Sequence, residues 1–280
     1  MNTLNNKLED KIVKTGNQFK ILFLGDIVGR PGRRAVAKFL ADIKKKEQID
    51  FVIANGENLA SGKGMTFDKY NEMLEAGVDY FTSGNHIWNN SDIIPYLKNN
   101  SVKILRPANY TKDTPGQGFV HLEINGTKIL LANLLGRVFM PILLSDPFET
   151  AEEFLAESKD EIVIIDFHAE ATSEKIALGY YLDGKASAIL GTHTHVQTAD
   201  ETILSEGTAY ITDVGMCGPK DSVLGVDKRI IIKQFLTGLP QSHKVAVGDS
   251  IVNAVIINFD KKTKKASRIT RIFETIKVEN

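Results

Sequence analysis

The sequence predicts an α/β fold in which two β-sheets pack together and helices cover their outer faces. In the first third of the chain, short apolar runs alternate with amphipathic segments, which is typical of parallel strands joined by helices. The middle and the end of the chain carry strand pairs and short apolar runs instead. A parallel half followed by strand-rich segments indicates more than one sheet.

The elements of the first third follow one another in regular order. Residues 19–26, FKILFLGD, read as a buried strand, and the apolar residues of the next segment recur on one face of a helix. Residues 50–55 predict the next strand, and the glycine-containing loop 56–66 leads to a helix near residues 67–76. Residues 78–86 again pass from strand to loop. Strands joined in this way lie parallel to one another.

The rest of the chain is richer in strands. Residues 118–134 predict two strands around Asn125-Gly126, the strongest short-range signal for a hairpin. Three apolar runs, at residues 161–170, 187–195 and 208–215, each end in polar residues. The last segment, residues 251–276, predicts a hairpin that turns at positions 260–264.

Composition limits the class of protein and its partners. The chain has 280 residues and a formal net charge of -1, so bulk charge gives no reason to expect a long nucleic acid as partner. One cysteine, Cys217, excludes a disulfide framework and a zinc–thiolate cluster within the chain. We expect Cys217 to be a small buried residue. The balance fits a cytoplasmic protein.

Domain boundaries follow from the same reading. We expect a disordered tail over residues 1–18 and a single domain over residues 19–280, because the tail is polar and has little periodicity. The most apolar segment, residues 128–144, is interrupted by polar residues and a proline, so no membrane span is expected. The basic run at residues 261–271 is read as the solvated face of a hairpin, with RNA binding as its alternative.

Polar side chains follow five of the predicted strands directly. Because ligand sites in open α/β sheets lie beyond the carboxyl ends of the strands, we expect these side chains to be neighbours. The set consists of Asp26, Glu57, Asn58, Asn85, His86, His168, His193 and His195. The other two histidines, His121 and His243, are read as a strand residue and a loop residue.

The chemistry of this set is that of a metal site. Carboxylates, amides and imidazoles without a thiolate suit manganese, iron, zinc or cobalt better than copper or iron–sulfur clusters. The set exceeds the needs of one ion, and two metals sharing a carboxylate would use it. Each residue also has a structural alternative. Asp26 fits a turn or helix-cap carboxylate, His168 fits a histidine near the core, and an isolated histidine pair such as His193 and His195 fits a polar loop. Their joint occurrence at five strand ends favours the metal site.

These segments resemble the calcineurin-like metallophosphoesterases, and more closely their YmdB-type branch of bacterial cyclic-nucleotide phosphodiesterases. The resemblance is carried by FLGDIVGRPGR, NGENLASGKGMT, TSGNHIW, DFHAEATSEK and LGTHTHVQTAD, and it extends from Lys20 to the C-terminus. Three positions depart from the broader superfamily. Val28 replaces a histidine, Glu57 stands where aspartate is usual, and Ile87 stands where an acid usually follows. The same departures mark the YmdB-type branch.

The resemblance implies a four-layer αββα sandwich with two divalent metal ions at the strand ends. One ion would be held by Asp26, Glu57 and His195. The other would be held by Asn85, His168 and His193 together with Glu57, which would bridge the two. Asn58, beside Glu57, would compensate for the missing histidine, directly or through water. A poorer nitrogen set favours iron or manganese, with zinc as the alternative.

The implied activity is hydrolysis of 2′,3′-cyclic nucleotides, with 3′,5′-cyclic nucleotides left open as further substrates. A hydroxide bridging the metals would attack phosphorus, and His86 would face the phosphate as proton donor or charge stabiliser. The alternatives are a phosphomonoesterase or phosphoprotein phosphatase on the same dinuclear site, or a non-catalytic metal-binding regulatory module. Loops 61–65 and 213–219 are read either as pocket walls or as structural turns. A homo-oligomer is also left open.

Overall fold

The computed structural model describes residues 16–142 and 144–277 of the chain. Most of the tail expected over residues 1–18, namely residues 1–15, lies outside the described residues. Gln18 is already the first residue of a strand, and the side chain of Asn17 donates a hydrogen bond to the carboxylate of Asp260 at 2.6 Å.

The described residues form strands and helices in a mostly alternating order. The strands are β1 (Gln18–Leu24), β2 (Asp26–Ile27), β3 (Phe51–Asn55), β4 (Tyr80–Thr82), β5 (Phe119–Ile124), β6 (Thr127–Leu135), β7 (Ile162–His168), β8 (Ala188–Thr192), β9 (Thr202–Ile203), β10 (Ala209–Ile211), β11 (Met216–Pro219), β12 (Ser250–Asp260) and β13 (Ala266–Ile276). The helices are α1 (Gly29–Lys46), α2 (Phe67–Glu75), α3 (Ile94–Lys98), α4 (Pro147–Glu157), α5 (Thr172–Tyr181) and α6 (Lys228–Thr237), with short 3₁₀ turns at Ile87–Asn89 and Ser91–Ile93.

The strands are arranged in two mixed sheets. The first has the order β2-β11-β12-β1-β3-β4, with β13 paired to the outside of β12, and the second has the order β5-β6-β7-β8-β10-β9. Strands β1, β3 and β4 run parallel to one another in the first sheet, as β6, β7, β8 and β10 do in the second. Parallel neighbours place their carboxyl ends, and the loops that follow them, along one edge.

Three apolar cores separate four layers. Successive side chains of a strand point to opposite faces, so Leu22 and Leu24 of β1 pack against the α1 and α2 side, while Ile21 and Phe23 face the second sheet. In the second sheet, alternate residues of β6 and β7 pack against α4 and α5. The predicted αββα architecture is thereby confirmed.

Both predicted hairpins are present. Asn125 and Gly126 have φ angles of 50° and 73°, the pair of positive values that a tight two-residue hairpin turn requires. They connect β5 and β6, which pair antiparallel from Ile124–Thr127 outward. The chain also turns after Asp260, as predicted, and β12 and β13 pair antiparallel. The basic run therefore lies on the hairpin that forms one edge of the first sheet.

Helices α4, α5 and α6 occupy segments for which the sequence reading gave no helix. The reason is visible in what they bury. Helix α5 turns Lys175 and Gly179 inward and leaves Tyr180 and Tyr181 outside, so an apolar stripe is absent from its sequence. Helix α6 buries one residue, Ile231, and exposes several apolar side chains. Periodicity detects a helix only when its buried face is apolar.

Several smaller expectations are also met. Cys217 is fully buried, and burial raises the pKa of its thiol to about 12, so it stays protonated. His121 is an exposed residue of β5, and His243 lies in a loop. In the described part of the chain, every helix is too short or too polar to cross a lipid bilayer.

Candidate metal centre

The carboxyl ends of the parallel strands bring the predicted ligands together. Two groups of three residues each place one ligand atom per residue within 4.8 Å of the others. One group is Asp26, Glu57 and His195, and the other is Glu57, His168 and His193. Glu57 belongs to both groups, so its carboxylate lies between two neighbouring sets of ligand atoms.

Glu57 is surrounded by the other candidate residues. Its Oε2 lies 3.1 Å from His168 Nε2 and accepts a hydrogen bond from the backbone N–H of His86 at 3.2 Å. Its Oε1 accepts a hydrogen bond from Asn58 Nδ2 at 3.1 Å. Burial acts to raise the pKa of Glu57, but His168 and His86 hold that pKa well below its usual range. The carboxylate is therefore charged although it is buried.

Asp26 presents a buried oxygen without a partner. The carboxylate lies in β2 with no exposed surface, and Oδ2 accepts a hydrogen bond from the backbone N–H of His193 at 3.1 Å. Oδ1 finds no hydrogen-bond partner among the described residues, and the nearest imidazole nitrogens, of His168 and His195, are 3.9 Å away. Burial raises the pKa of this carboxyl. A buried orphan acceptor is costly unless a ligand satisfies it.

The two asparagines occupy different positions. Oδ1 of Asn85 is a second buried oxygen without a hydrogen-bond partner in the described structure. Asn58 turns its Nδ2 toward Glu57 Oε1 and His195 Nε2, both at 3.1 Å, and its Oδ1 toward His86 Nδ1, also at 3.1 Å. In this orientation Asn58 orients His86. To serve as a metal ligand, Asn58 would have to turn its oxygen toward the ions.

His168 is held by a chain of hydrogen bonds that the sequence reading missed. Its Nδ1 lies 2.8 Å from the hydroxyl of Thr192, which in turn donates to Asp166 Oδ1 at 2.7 Å. Asp166 also accepts hydrogen bonds from Thr82 and Asn55. We assign the Nδ1 proton of His168 to the bond with Thr192, which leaves Nε2 for a ligand. Such outer partners fix the tautomer and orientation of metal-binding histidines.

His193 and His195 lie on a strained turn after β8. Their φ angles are 99° and 65°, a region that non-glycine residues rarely adopt and that costs about 1–3 kcal/mol per residue. The turn brings His193 Nδ1 to 3.0 Å from His168 Nε2. His195 directs Nε2 toward Asp26 and Asn58, while its Nδ1 lies 3.0 Å from the carbonyl oxygen of Leu224. Local strain thus accompanies the convergence of both rings on one site.

A buried ion pair supports this turn from below. Lys175 Nζ donates to Asp213 Oδ2 and to the backbone oxygen of Thr192, each at 2.7 Å. Asp213 also accepts hydrogen bonds from the backbone N–H groups of Thr194 and Gly215. Both charged side chains are 1% exposed. The pair therefore connects helix α5 to the loop that carries His193 and His195, and neither residue was singled out as a site residue from the sequence.

Replacing Lys175 with methionine is expected to destabilise the protein by about 3 kcal/mol, because Asp213 would be left charged and buried without its partner. We also expect the variant to bind metal more weakly. Urea unfolding and elemental analysis measure the two effects. Lys185→Met is the matched control, since Lys185 pairs with Glu152 on the surface and should change stability by less than about 1 kcal/mol. A Lys175→Met variant with unchanged stability and metal content would contradict this role.

Close approach explains the glycine before Asn85. A Cβ atom on Gly84 would lie 2.3 Å from Glu57 Oε2 and 2.3 Å from His168 Nε2. Any side chain there would occupy the space between two of the candidate ligands. The backbone of the loop after β4 therefore forms one wall of the site.

The side chains present fit divalent metal ions. Two buried carboxylates, Asp26 and Glu57, require positive charge nearby. Burial and the neighbouring His168 lower the pKa of His193 to about 3, so that ring is neutral. Burial also acts to lower the pKa of His168, but Glu57 and Asp26 raise it to about 9. A single imidazolium thus faces two carboxylates, and the two orphan oxygens of Asp26 and Asn85 add further unused ligand atoms.

The departure at Val28 has a structural counterpart. Val28 is 3% exposed and packs with Met216, Ile251 and Val245 in a small apolar cluster. The space that a histidine would fill in the broader superfamily is therefore apolar here. Three of the predicted histidines, namely His168, His193 and His195, are the imidazoles that belong to the two ligand groups.

Comparisons with known proteins agree with this arrangement. Residues 22–272 match the family described as YmdB-like protein. A 2′,3′-cyclic-nucleotide 2′-phosphodiesterase of Bacillus subtilis (strain 168) is 49% identical over 255 residues, which cover 90% of this chain and 96% of the relative. The structure of a novel phosphatase from Mycoplasma pneumoniae superimposes with a TM-score of 0.88 at 39% identity, covering 92% of this chain and 94% of that one.

A more distant structure shares the fold alone. A 5′-nucleotidase structure from Staphylococcus aureus has a TM-score of 0.58 at 16% identity, and the match covers 94% of this chain and 55% of that one. The resemblance noted from the sequence is confirmed by the family match and by the Bacillus relative, both of which span most of the chain. The chain belongs to the YmdB-like protein family.

Proposed function

We propose that the protein is a metal-dependent phosphodiesterase that hydrolyses 2′,3′-cyclic nucleotides. The observation that carries the proposal is the pair of ligand groups that share Glu57. A relative 49% identical to this chain is named a 2′,3′-cyclic-nucleotide 2′-phosphodiesterase. We place the reaction in the cytoplasm, where a lone unpaired cysteine is ordinary.

We propose that the site holds two divalent ions. Asp26, Glu57 and His195 would bind one ion. Asn85, His168 and His193 would bind the other together with Glu57, and Asn58 would lie beside the pair. The nitrogen-poor ligand set favours iron or manganese, with zinc as the alternative. When bound, such ions lower the pKa of a coordinated water toward about 7 and neutralise charge on phosphate oxygens.

The protein's own groups prepare the rest of the site. The outer chain from His168 through Thr192 to Asp166 holds the imidazole in one orientation. Asn58 Oδ1 lies 3.1 Å from His86 Nδ1. We assign the Nδ1 proton to this bond, so Nε2 is the ring nitrogen that remains for substrate. His86 would protonate the departing ribose oxygen, a role typically worth about 10²–10⁴-fold in rate.

A phosphomonoesterase acting at the same centre is the second candidate. It is favoured by one observation, since the Mycoplasma structure that is 39% identical carries the description of a phosphatase. The two activities place different demands on the site. A diester leaves its second ester group bound and needs room for it, whereas a monoester presents one organic group and a more strongly charged phosphate. A regulatory module without activity has less support, because all the ligand candidates and His86 are present.

Metal analysis followed by a substrate panel tests the proposal. After reconstitution with excess manganese or iron, we expect two ions per chain and faster turnover of adenosine 2′,3′-cyclic phosphate than of adenosine 3′-phosphate. One ion or none after reconstitution would contradict the dinuclear site. Preference for the monophosphate would favour the second candidate instead.

A further inference from the structure

A cavity of about 410 Å³ adjoins the proposed metal centre. One wall is the loop at residues 60–63, which directly follows Glu57 and Asn58. The other walls come from residues 224–226 and from the segment between Gln241 and Val245. The volume falls within the range of about 300–1,000 Å³ that small-ligand sites occupy.

His195 forms the partition between the cavity and the candidate ligands. Its ring lines the cavity, while Nε2 lies 3.1 Å from Asn58 Nδ2 and 3.9 Å from Asp26 Oδ1. Its Nδ1 contacts the carbonyl oxygen of Leu224, another lining residue, at 3.0 Å. A phosphate placed at the ligand groups would therefore have the cavity immediately beside it, on the side of His195.

The cavity combines apolar walls with cationic ones. Val28, Val226 and Val245 supply apolar surface that suits the face of a ribose or a base. Lys63 and Lys244 also line it, and none of its lining residues is an acid. Both lysines are exposed, and neither ammonium forms an ion pair within residues 16–142 and 144–277. Two unpaired cations without a nearby carboxylate select an anionic ligand.

We propose that this cavity binds the nucleoside of the substrate together with a second phosphate on its 5′ oxygen. The inference rests on the proposed function and specifies its substrate class. The preferred substrates would be 2′,3′-cyclic nucleotides that carry a 5′-phosphate, either as a terminal group or as the phosphodiester of a short RNA fragment. The apolar walls would contact the nucleoside, while Lys63 and Lys244 would bind the added phosphate.

A kinetic comparison of three substrates tests the cavity. These are adenosine 2′,3′-cyclic phosphate, the same compound with a 5′-phosphate, and adenylyl-(3′→5′)-adenosine ending in a 2′,3′-cyclic phosphate. We expect kcat/KM to be about tenfold higher for the two that carry the extra phosphate, and the advantage to shrink at high salt because ion pairs are screened. A preference for the dinucleotide alone would assign the phosphodiester as the ligand, and an equal preference would assign any 5′-phosphate.

Variants locate the effect. The double variant Lys63→Gln with Lys244→Gln is expected to lose most of this advantage, measured as the ratio of the kcat/KM values for the substrates with and without the 5′-phosphate. The matched control is Lys98→Gln with Lys112→Gln, because these lysines are also exposed but lie outside the cavity. Equal kcat/KM for all three substrates in the wild-type protein, or an unchanged ratio in the double variant, would overturn the proposal.

A binding measurement separates this inference from the proposed function. Calorimetry on the metal-loaded protein compares adenosine 3′,5′-bisphosphate with adenosine 3′-phosphate, neither of which contains a diester to be hydrolysed. We expect the bisphosphate to bind about tenfold more tightly to the wild-type protein and the difference to disappear in the lysine double variant. If no cyclic nucleotide is hydrolysed, the proposed function fails and this comparison still decides the cavity. Equal affinities in the wild-type protein would exclude the second-phosphate site even if cyclic nucleotides are hydrolysed.

Discussion

Replacing Glu57 with alanine is expected to remove both metal ions and to lower kcat/KM for a cyclic nucleotide by more than about 10³-fold. The reason is geometric, since Glu57 is the one residue shared by the two ligand groups. Each ion stabilises charge in the transition state, and removal of a single such stabiliser typically costs about 10²–10³-fold. Elemental analysis of the reconstituted protein and steady-state kinetics provide the two measurements.

Asp26→Ala distinguishes bridging from a general loss of the site. Asp26 belongs to one ligand group only, so this variant is expected to keep one ion per chain. Glu153→Ala is the control for removing a carboxylate elsewhere, because Glu153 is exposed on helix α4. Glu57→Gln keeps the volume of the side chain and separates loss of charge from loss of fold. Two bound ions in folded Glu57→Ala would show that Glu57 does not bridge.

His86→Ala is expected to lose about 10²–10⁴-fold in kcat/KM on a 2′,3′-cyclic nucleotide and much less on bis(4-nitrophenyl) phosphate. A proton donor matters in proportion to the leaving group's need for a proton. Nitrophenolate departs readily without one, whereas a ribose alkoxide does not. The variant should retain both ions, because His86 belongs to neither ligand group. Kinetics on the two substrates, with metal content measured alongside, give the result.

Two further histidines serve as comparisons. His193→Ala should impair both substrates alike, because it removes a candidate metal ligand. His121→Ala should affect neither, because His121 lies on an exposed strand and pairs with Glu161. Equal losses on the two substrates by a fully metallated His86→Ala protein would leave His86 only as an electrostatic stabiliser.

The strand order of motifs made much of the site predictable. Polar residues directly after buried strands are placed by the strand itself, since a parallel sheet brings its carboxyl ends to one edge. Asp26, Glu57 and His168 were located in this way, and the structure places them within one cluster. The hairpin at Asn125-Gly126 was predictable for a similarly local reason, because few residue pairs accept two positive φ angles.

The supporting residues could not be read from the chain. Asp166 lies in the middle of an otherwise apolar strand, and Lys175 lies on a helix whose periodicity gave no signal. Their partners, Thr192 and Asp213, are 26 and 38 residues away along the sequence. No local pattern marks a buried hydrogen bond between residues so far apart, because the bond exists only after the two sheets have packed.

By itself, then, the sequence determined the alternation of elements, the two-sheet architecture and the identity of the polar residues at the strand ends. Those features depend on side-chain period and backbone preference, which act over a few residues. Tertiary structure alone decided that Glu57 lies between two ligand groups, that Asn58 directs its oxygen to His86, and that Lys63 and Lys244 share a cavity with His195. These relations are distances between loops from different strands, and only the packing of the sheets defines such distances.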